Sequence, residues 1–193
     1  MPTQKLFEQD ILKVGSYLLF DMLEGLREID SSAVAEAVET IRVCREHGSR
    51  VWIVGNGGSA ATASHFANDL IKMARVDATC IPDMGPTVLA YGNDDGWENM
   101  FSSVIKRLGK ENDALVAISC SGRSANIVQC ARVASHLGMQ IIVLTGRNGN
   151  LDENPLAGFV MNPICVEFDD IKVQEDCHLA ICHAIAGVLA KDV

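Results

Sequence analysis

The sequence predicts an α/β protein whose parallel sheet is buried on both faces and preceded by helices. Three observations lead there. From residue 50 onward, short apolar runs rich in β-branched residues alternate with helical stretches, the pattern of βαβ units. Those runs are nearly continuously apolar, as strands covered on both sides must be. Two of them break into a Gly- or Ser-rich loop that opens without a spacer into a helix, and such sheets bind ligands beyond the carboxyl ends of their strands.

Two helices come first: roughly Leu6 to Leu26, apolar at helical spacing, and roughly Ser32 to His47, opened by Ser31-Ser32 and closed by Gly48. The first carries Leu12, Val14, Tyr17, Leu18, Leu19, Phe20, Met22 and Leu23 over well more than one face. That is more apolar surface than a lone surface helix needs, and it argues for a helical subunit interface or for burial within the chain. Strand runs follow at Arg50–Val54, Asp113–Ile118, Gln140–Leu144 and Ile164–Phe168. Helices are expected after Ser59, after Ser124 to about Leu137-Gly138, and from about Ile171 to Lys191. The Thr79–Asp95 segment has room for a short strand or two, punctuated by Pro82, Gly85 and Pro86. One domain is expected over 1–193, a helical segment 1–48 leading a parallel core 49–193.

Composition narrows the partners. With 48% hydrophobic and 5% aromatic residues, Ala, Val, Ile and Leu must do most of the packing, which suits helix-on-sheet layers. A formal net charge of −9 disfavours nucleic acid and anionic membrane surfaces, and it opposes an anionic ligand at long range. Any phosphate must therefore be held by local dipoles and N–H groups. Seven dispersed cysteines, without a C-x-x-C pair, point to reduced thiols rather than a disulfide framework. Glu8 and Asp10 interrupt the apolar pattern near the start, and no run approaches a membrane span, so a cytoplasmic protein is expected.

The first loop is Gly55-Asn56-Gly57-Gly58-Ser59. Its glycines permit positive φ and close approach to a ligand, while the free N–H groups and positive dipole end of the next helix face an anion. The spacing matches neither the dinucleotide fingerprint nor the P-loop, since no Lys follows and Asn56 separates the first two glycines. The second loop is Ser119-Cys120-Ser121-Gly122-Arg123-Ser124, whose three hydroxyls lie at a strand end and a helix N-terminus, placed to donate to phosphate oxygens. For each serine taken alone, and for Ser124 most obviously, a plain capping role explains the residue equally well.

These loops make the chain resemble the sugar isomerase (SIS) domain family, and within it the phosphoheptose isomerases. Gly55–Ala60 followed by His65-Phe66-Ala67, the turn Gly92-Asn93-Asp94, Ser119-x-Ser121-Gly122-x-Ser124, Leu144-Thr145-Gly146, and a last helix with Glu175, His178 and His183 carry the resemblance in order. It implies a three-layer, flavodoxin-like parallel sheet, usually in a homotetramer with sites between subunits. It also implies isomerisation of sedoheptulose 7-phosphate to a D-glycero-D-manno-heptose 7-phosphate. Carried over, Asn56, Gly57, Gly58, Ser59, Asp94, Ser119, Cys120, Ser121, Ser124 and Glu175 fall at phosphate- or substrate-binding positions. The acid and base fall at His183 and Asp69, and a family zinc site falls at His65, Asp69, Glu175 and His183.

Two positions depart from the phosphoheptose pattern: Asp69 stands where it has Glu, and Glu175 where it has Gln. Gln174 is the rival match, at the cost of a one-residue insertion that turns a helix by ~100°. His65 and Asp69, four apart, share a helix face as metal ligands would, yet Thr62, His65, Asp69 and Lys72 also form an ordinary polar stripe. His183 is flanked by apolar residues, so it is expected to need a buried partner, whereas His178 reads as a satisfied core residue. The alternatives to heptose isomerisation are an isomerase of another phosphosugar and a non-catalytic SIS regulator that binds a phosphosugar or a protein such as the replication initiator. Fold alone does not choose among them.

Overall fold

In the computed structural model, which describes residues 2–146 and 154–193, five parallel strands form one sheet. They are β1 (Val51–Val54), β2 (Ala78–Cys80), β3 (Ala114–Ser119), β4 (Gln140–Thr145) and β5 (Ile164–Cys165), in the spatial order β2-β1-β3-β4-β5. Seven α-helices accompany them: α1 (Pro2–Arg27), α2 (Ser31–His47), α3 (Gly58–Ala74), α4 (Gly85–Asp94), α5 (Ser102–Leu108), α6 (Ala125–His136) and α7 (Ile171–Leu189). This is the expected flavodoxin-like strand order.

Strand alternation sorts the core into two halves. Val51 and Ile53 of β1, with Ala114, Val116 and Ile118 of β3, pack under Ile41 of α2, Phe66 and Leu70 of α3, and Ile181 and Ile185 of α7. Trp52 and Val54, with Leu115 and Ala117, pack under Val104 and Ile105 of α5 and Ile127 and Ala131 of α6. The helix after β1 therefore covers one face and the helix after β3 covers the other. Between these neighbouring strands the order reverses, and the two loops leave their carboxyl ends in opposite directions, opening the crevice where doubly wound sheets bind ligands. Below the sheet, the buried Asp113 carboxylate accepts from Arg50 N, Trp52 Nε1 and Lys110 N, tying β1 to the start of β3.

Several boundaries differ from expectation. Asp30, rather than Ser31-Ser32, caps α2, its Oδ1 accepting from Ser32 N at 2.8 Å, while Gly48 closes the helix in the left-handed conformation as expected. The Thr79–Asp95 segment holds part of one strand and then α4, because Gly85-Pro86 starts a helix, Pro lacking only an N–H that the first turn leaves unused. The last strand ends at Cys165, not Phe168. Helix α1 divides its apolar circumference: Leu18, Met22 and Leu26 pack on the core, whereas Val14, Tyr17, Leu19, Phe20 and Leu23 are exposed. Leu12 lies outside the described side chains. Among the described residues no helix is long and apolar enough to cross a membrane, and none of the seven cysteines forms a disulfide.

Candidate active site

The first loop turns because Gly57, which caps α3, has φ 54° and ψ −124°, a conformation side chains resist. Gly58 follows as the first helical residue, and a Cβ there would lie 2.4 Å from the Glu175 carboxylate, so glycine admits the acid against the helix end. In this first turn Ala60 N and Ala61 N donate to Gly57 O at 3.1 and 3.2 Å, while the N–H groups of Gly58 and Ser59 precede any intrahelical acceptor. Ser59 is buried in that turn, close enough to the Cys120 thiol of the second loop to pull its pKa down. Burial, and the negative Glu175 after it, push the Cys120 thiol up to about 11 against the pull of Ser59. A neutral thiol is no nucleophile at physiological pH.

The second loop is braced from behind. Thr145 Oγ1 donates to Ser119 O at 2.9 Å, Gly146 N donates to Cys120 O at 2.9 Å, and the buried Asn154 donates to Thr145 Oγ1 at 3.0 Å. Ser121 is exposed, its hydroxyl accepting from Arg123 N at 3.2 Å. Ser124 occupies the N-cap position of α6 without a side-chain capping bond, so capping does not use its hydroxyl. Asn56 is less free than its carried-over role implies. Its amide makes two reciprocal 2.9 Å hydrogen bonds with the amide of Asn126 in α6. Asp94, at the end of α4, is exposed and accepts from its neighbour Asn93 rather than from either loop.

Further along α3, three of the four expected ligands meet. Each of His65, Asp69 and His183 offers one atom within 4.8 Å of the others, the one such His/Cys/Asp/Glu group among the described residues. His183 Nδ1 is 2.8 Å from Asp69 Oδ2, His65 Nε2 is 3.8 Å from Asp69 Oδ1, and the two rings meet edge to face at 4.8 Å. Asp69 is 10% exposed as a side chain, while His65 and His183 are 50% and 47% exposed. The carboxylate thus sits behind two imidazoles that front the solvent. His183 has the buried partner its apolar surroundings in sequence call for, Asp69, although its own ring is half exposed because those apolar neighbours turn to other sides of α7. The donor set fits zinc, whose bonds of about 2.0–2.2 Å put tetrahedral ligand atoms roughly 3.3 Å apart, and three protein ligands leave a position open.

Glu175 stands apart from that cluster, two turns back along α7 and against Gly58. Its neighbour Gln174 turns inward, its side chain meeting the Cα of Gly146, with Oε1 unpartnered among the described residues. His178 is fully buried; its Nε2–H donates to Thr145 O at 2.9 Å, and burial pushes its pKa down to about 4. Reading a satisfied core residue there is half right, since Nδ1 has no partner among the described residues. Asn126 and Asn154 are not among the residues expected from the sequence, and only Asn126 carries a sequence signal: a polar residue on the inward side of a helix that otherwise buries Ile127, Cys130, Ala131 and Ala134.

Fold and site together define a doubly wound α/β protein with two anion-type loops at its switch point and an imidazole–carboxylate centre on the helix leaving one of them. The SIS domain profile matches residues 19–146, and the chain belongs to the SIS domain family. The phosphoheptose isomerase of Geotalea daltonii is 33% identical over 175 residues, covering 88% of this chain and 89% of its own. Structures of phosphoheptose isomerases from Neisseria gonorrhoeae and Francisella tularensis both align with a TM-score of 0.84, at 26% and 27% identity. They cover 95% of this chain, and 99% and 97% of theirs.

Proposed function

We propose that this chain is an aldose–ketose isomerase of a phosphosugar, with sedoheptulose 7-phosphate as the ketose and a D-glycero-D-manno-heptose 7-phosphate as the aldose. One observation carries the reading: a single helix, α3, presents an anion-type N-terminus at Ser59 and, six and ten residues on, His65 and Asp69 of the centre that His183 of α7 completes. Six residues rise ~9 Å. An extended seven-carbon ketose phosphate covers a comparable length from its phosphorus to its carbonyl. Phosphate is held by the N–H groups of Gly57, Gly58 and Ser59 and the hydroxyls of Ser59, Ser119, Ser121 and Ser124, local donors that overcome a net charge of −9. Asp94 and Glu175 accept from sugar hydroxyls.

Isomerisation removes a proton α to the carbonyl and returns it to the adjacent carbon through an enediol. Asp69 is the base, and His183, within hydrogen-bond distance of it, supplies and receives the hydroxyl proton. His65, Asp69 and His183 would hold zinc, which would polarise a carbonyl or hydroxyl oxygen; with Asp69 and His183 both as ligands, one of them would have to be released when substrate binds to act in proton transfer. Glu175, set against Gly58, would have to leave that contact to serve as a fourth ligand. Its more distant position gives a graded expectation: removing His65, Asp69 or His183 abolishes stoichiometric zinc binding, whereas Glu175→Ala weakens it only ~10–100-fold, the range seen when supporting groups are lost.

We read 1–193 as one domain that assembles as a homotetramer through the exposed face of α1, in a cytoplasmic, reducing setting that suits seven thiols outside any disulfide. The test of activity is to incubate zinc-loaded protein with ketose phosphates of five to eight carbons and follow aldose formation by NMR. Turnover favouring seven carbons is expected. Preference for another length reassigns the substrate, and binding without turnover of any of them turns the chain into the non-catalytic regulator.

A further inference from the structure

Past the last register pair of β1 and β3, Val54↔Ala117, no ladder joins the two loops. The Asn56–Asn126 amide pair bridges the first loop to the helix that leaves the second. Asn126 is fully buried, and its amide is fully used. Its Oδ1 accepts from Asn56 Nδ2 at 2.9 Å and Ile127 N at 3.0 Å. Its Nδ2 donates to Asn56 Oδ1 at 2.9 Å and to Met100 Sδ at 3.7 Å. Two donors and two acceptor sites exhaust a carboxamide, so nothing on Asn126 is left for a ligand.

We propose that Asn126 is a positioning residue: through Asn56 it sets the gap between the two anion-binding loops, with the segment at Met100 clamped behind it. The inference rests on the reading that both loops hold one phosphate. An anion shared between two loops requires the spacing to be set before it arrives, because hydrogen bonds weaken steeply away from about 2.7–3.2 Å. An amide pair does this without adding charge beside a dianion. It also redefines Asn56, half-buried at the crevice, as first a strut and only secondarily a donor toward substrate.

The test is a double-mutant cycle read in the affinity for inorganic phosphate, followed by 31P NMR on the full chain at fixed ionic strength, with urea unfolding in parallel. Asn56→Ala and Asn126→Ala are each expected to weaken phosphate binding ~10-fold, the effect of one or two neutral hydrogen bonds. The double variant should lose about the same ~10-fold rather than ~100-fold, because both substitutions break one link. A folded Asn126→Ala protein that binds phosphate like wild type overturns the inference while leaving the phosphate reading intact, and so do losses that multiply. If Asn126→Ala does not fold, Asn126→Ser, which keeps a small polar side chain, is read by the same criteria. Wild-type protein that binds neither phosphate nor any phosphosugar overturns the reading of the loops and this inference with it.

Discussion

His178 shows how one buried side chain links the last helix to the site. It donates to Thr145 O, and Thr145 Oγ1 in turn donates to Ser119 O, so the imidazole stands two hydrogen bonds behind the second loop. Burial sets its charge state: the unfolded chain takes up this proton near the ordinary value of 6.5, the folded chain only at about 4. Between those values the unfolded state holds more protons, so the contribution is fully present above 6.5 and is lost as pH falls toward 4. The loss sums to about 3 kcal/mol at a cost of 1.36 kcal/mol per pKa unit. Urea unfolding of wild type and His178→Gln at pH 7 and pH 5 should show a steeper acid loss in wild type; equal slopes would contradict the burial account. At the loops, Ser59→Ala and Ser121→Ala should each cost ~1.5–3 kcal/mol of phosphosugar binding, as charge-assisted hydrogen bonds do. Calorimetry showing unchanged affinity in both would remove these serines from the site. Pairs close in sequence were legible: His65 and Asp69 converge because four residues make about one turn. Helix faces were harder to read, since residues one apart turn by ~100°, which is why His183 is half exposed among apolar sequence neighbours and Gln174 and Glu175 part company.

Elements were legible where sequence and context agree. Continuous apolar runs became β1, β3 and β4, and Gly48 ended α2 in the left-handed conformation that its position suggested. Short elements were not. Helices α4 and α5 have ten and seven residues, too few for periodicity to outweigh Pro86 and Gly85, and their burial comes from Val88, Val104 and Ile105 meeting a sheet face distant in sequence. The glycine loop was half legible: the need for positive φ at Gly57 is local, but the need at Gly58 comes from Glu175, more than a hundred residues away. The two glycines should therefore fail differently. Gly57→Ala places a side chain at positive φ and should destabilise the fold by ~1–2 kcal/mol in urea unfolding. Gly58→Ala displaces the Glu175 carboxylate, and pairing it with Glu175→Ala should recover most of its loss. Equal losses with and without Glu175 would contradict the contact.

On the scale of the molecule, one sheet does two jobs. Its strand order reverses between β1 and β3, which opens the crevice, and α3 leaves that crevice carrying His65 and Asp69 to meet His183 of α7. The exposed apolar side of α1 is what a single chain leaves unfinished. Static light scattering at micromolar concentration should give four times the mass of the 20.8 kDa chain, and Phe20→Glu should shift it toward smaller species. A monomer would contradict both the covered helix and any site completed between subunits. The central claim is that one phosphosugar spans from the two loops to the imidazole–carboxylate centre, and a crystal structure of Asp69→Asn protein with sedoheptulose 7-phosphate tests it most directly. The account predicts phosphate oxygens at hydrogen-bond distance, about 3 Å, from Ser59 and from Ser121 or Ser124, with the carbonyl end beside residue 69 and His183. Phosphate bound away from both loops, or a carbonyl end pointing away from His183, would contradict it.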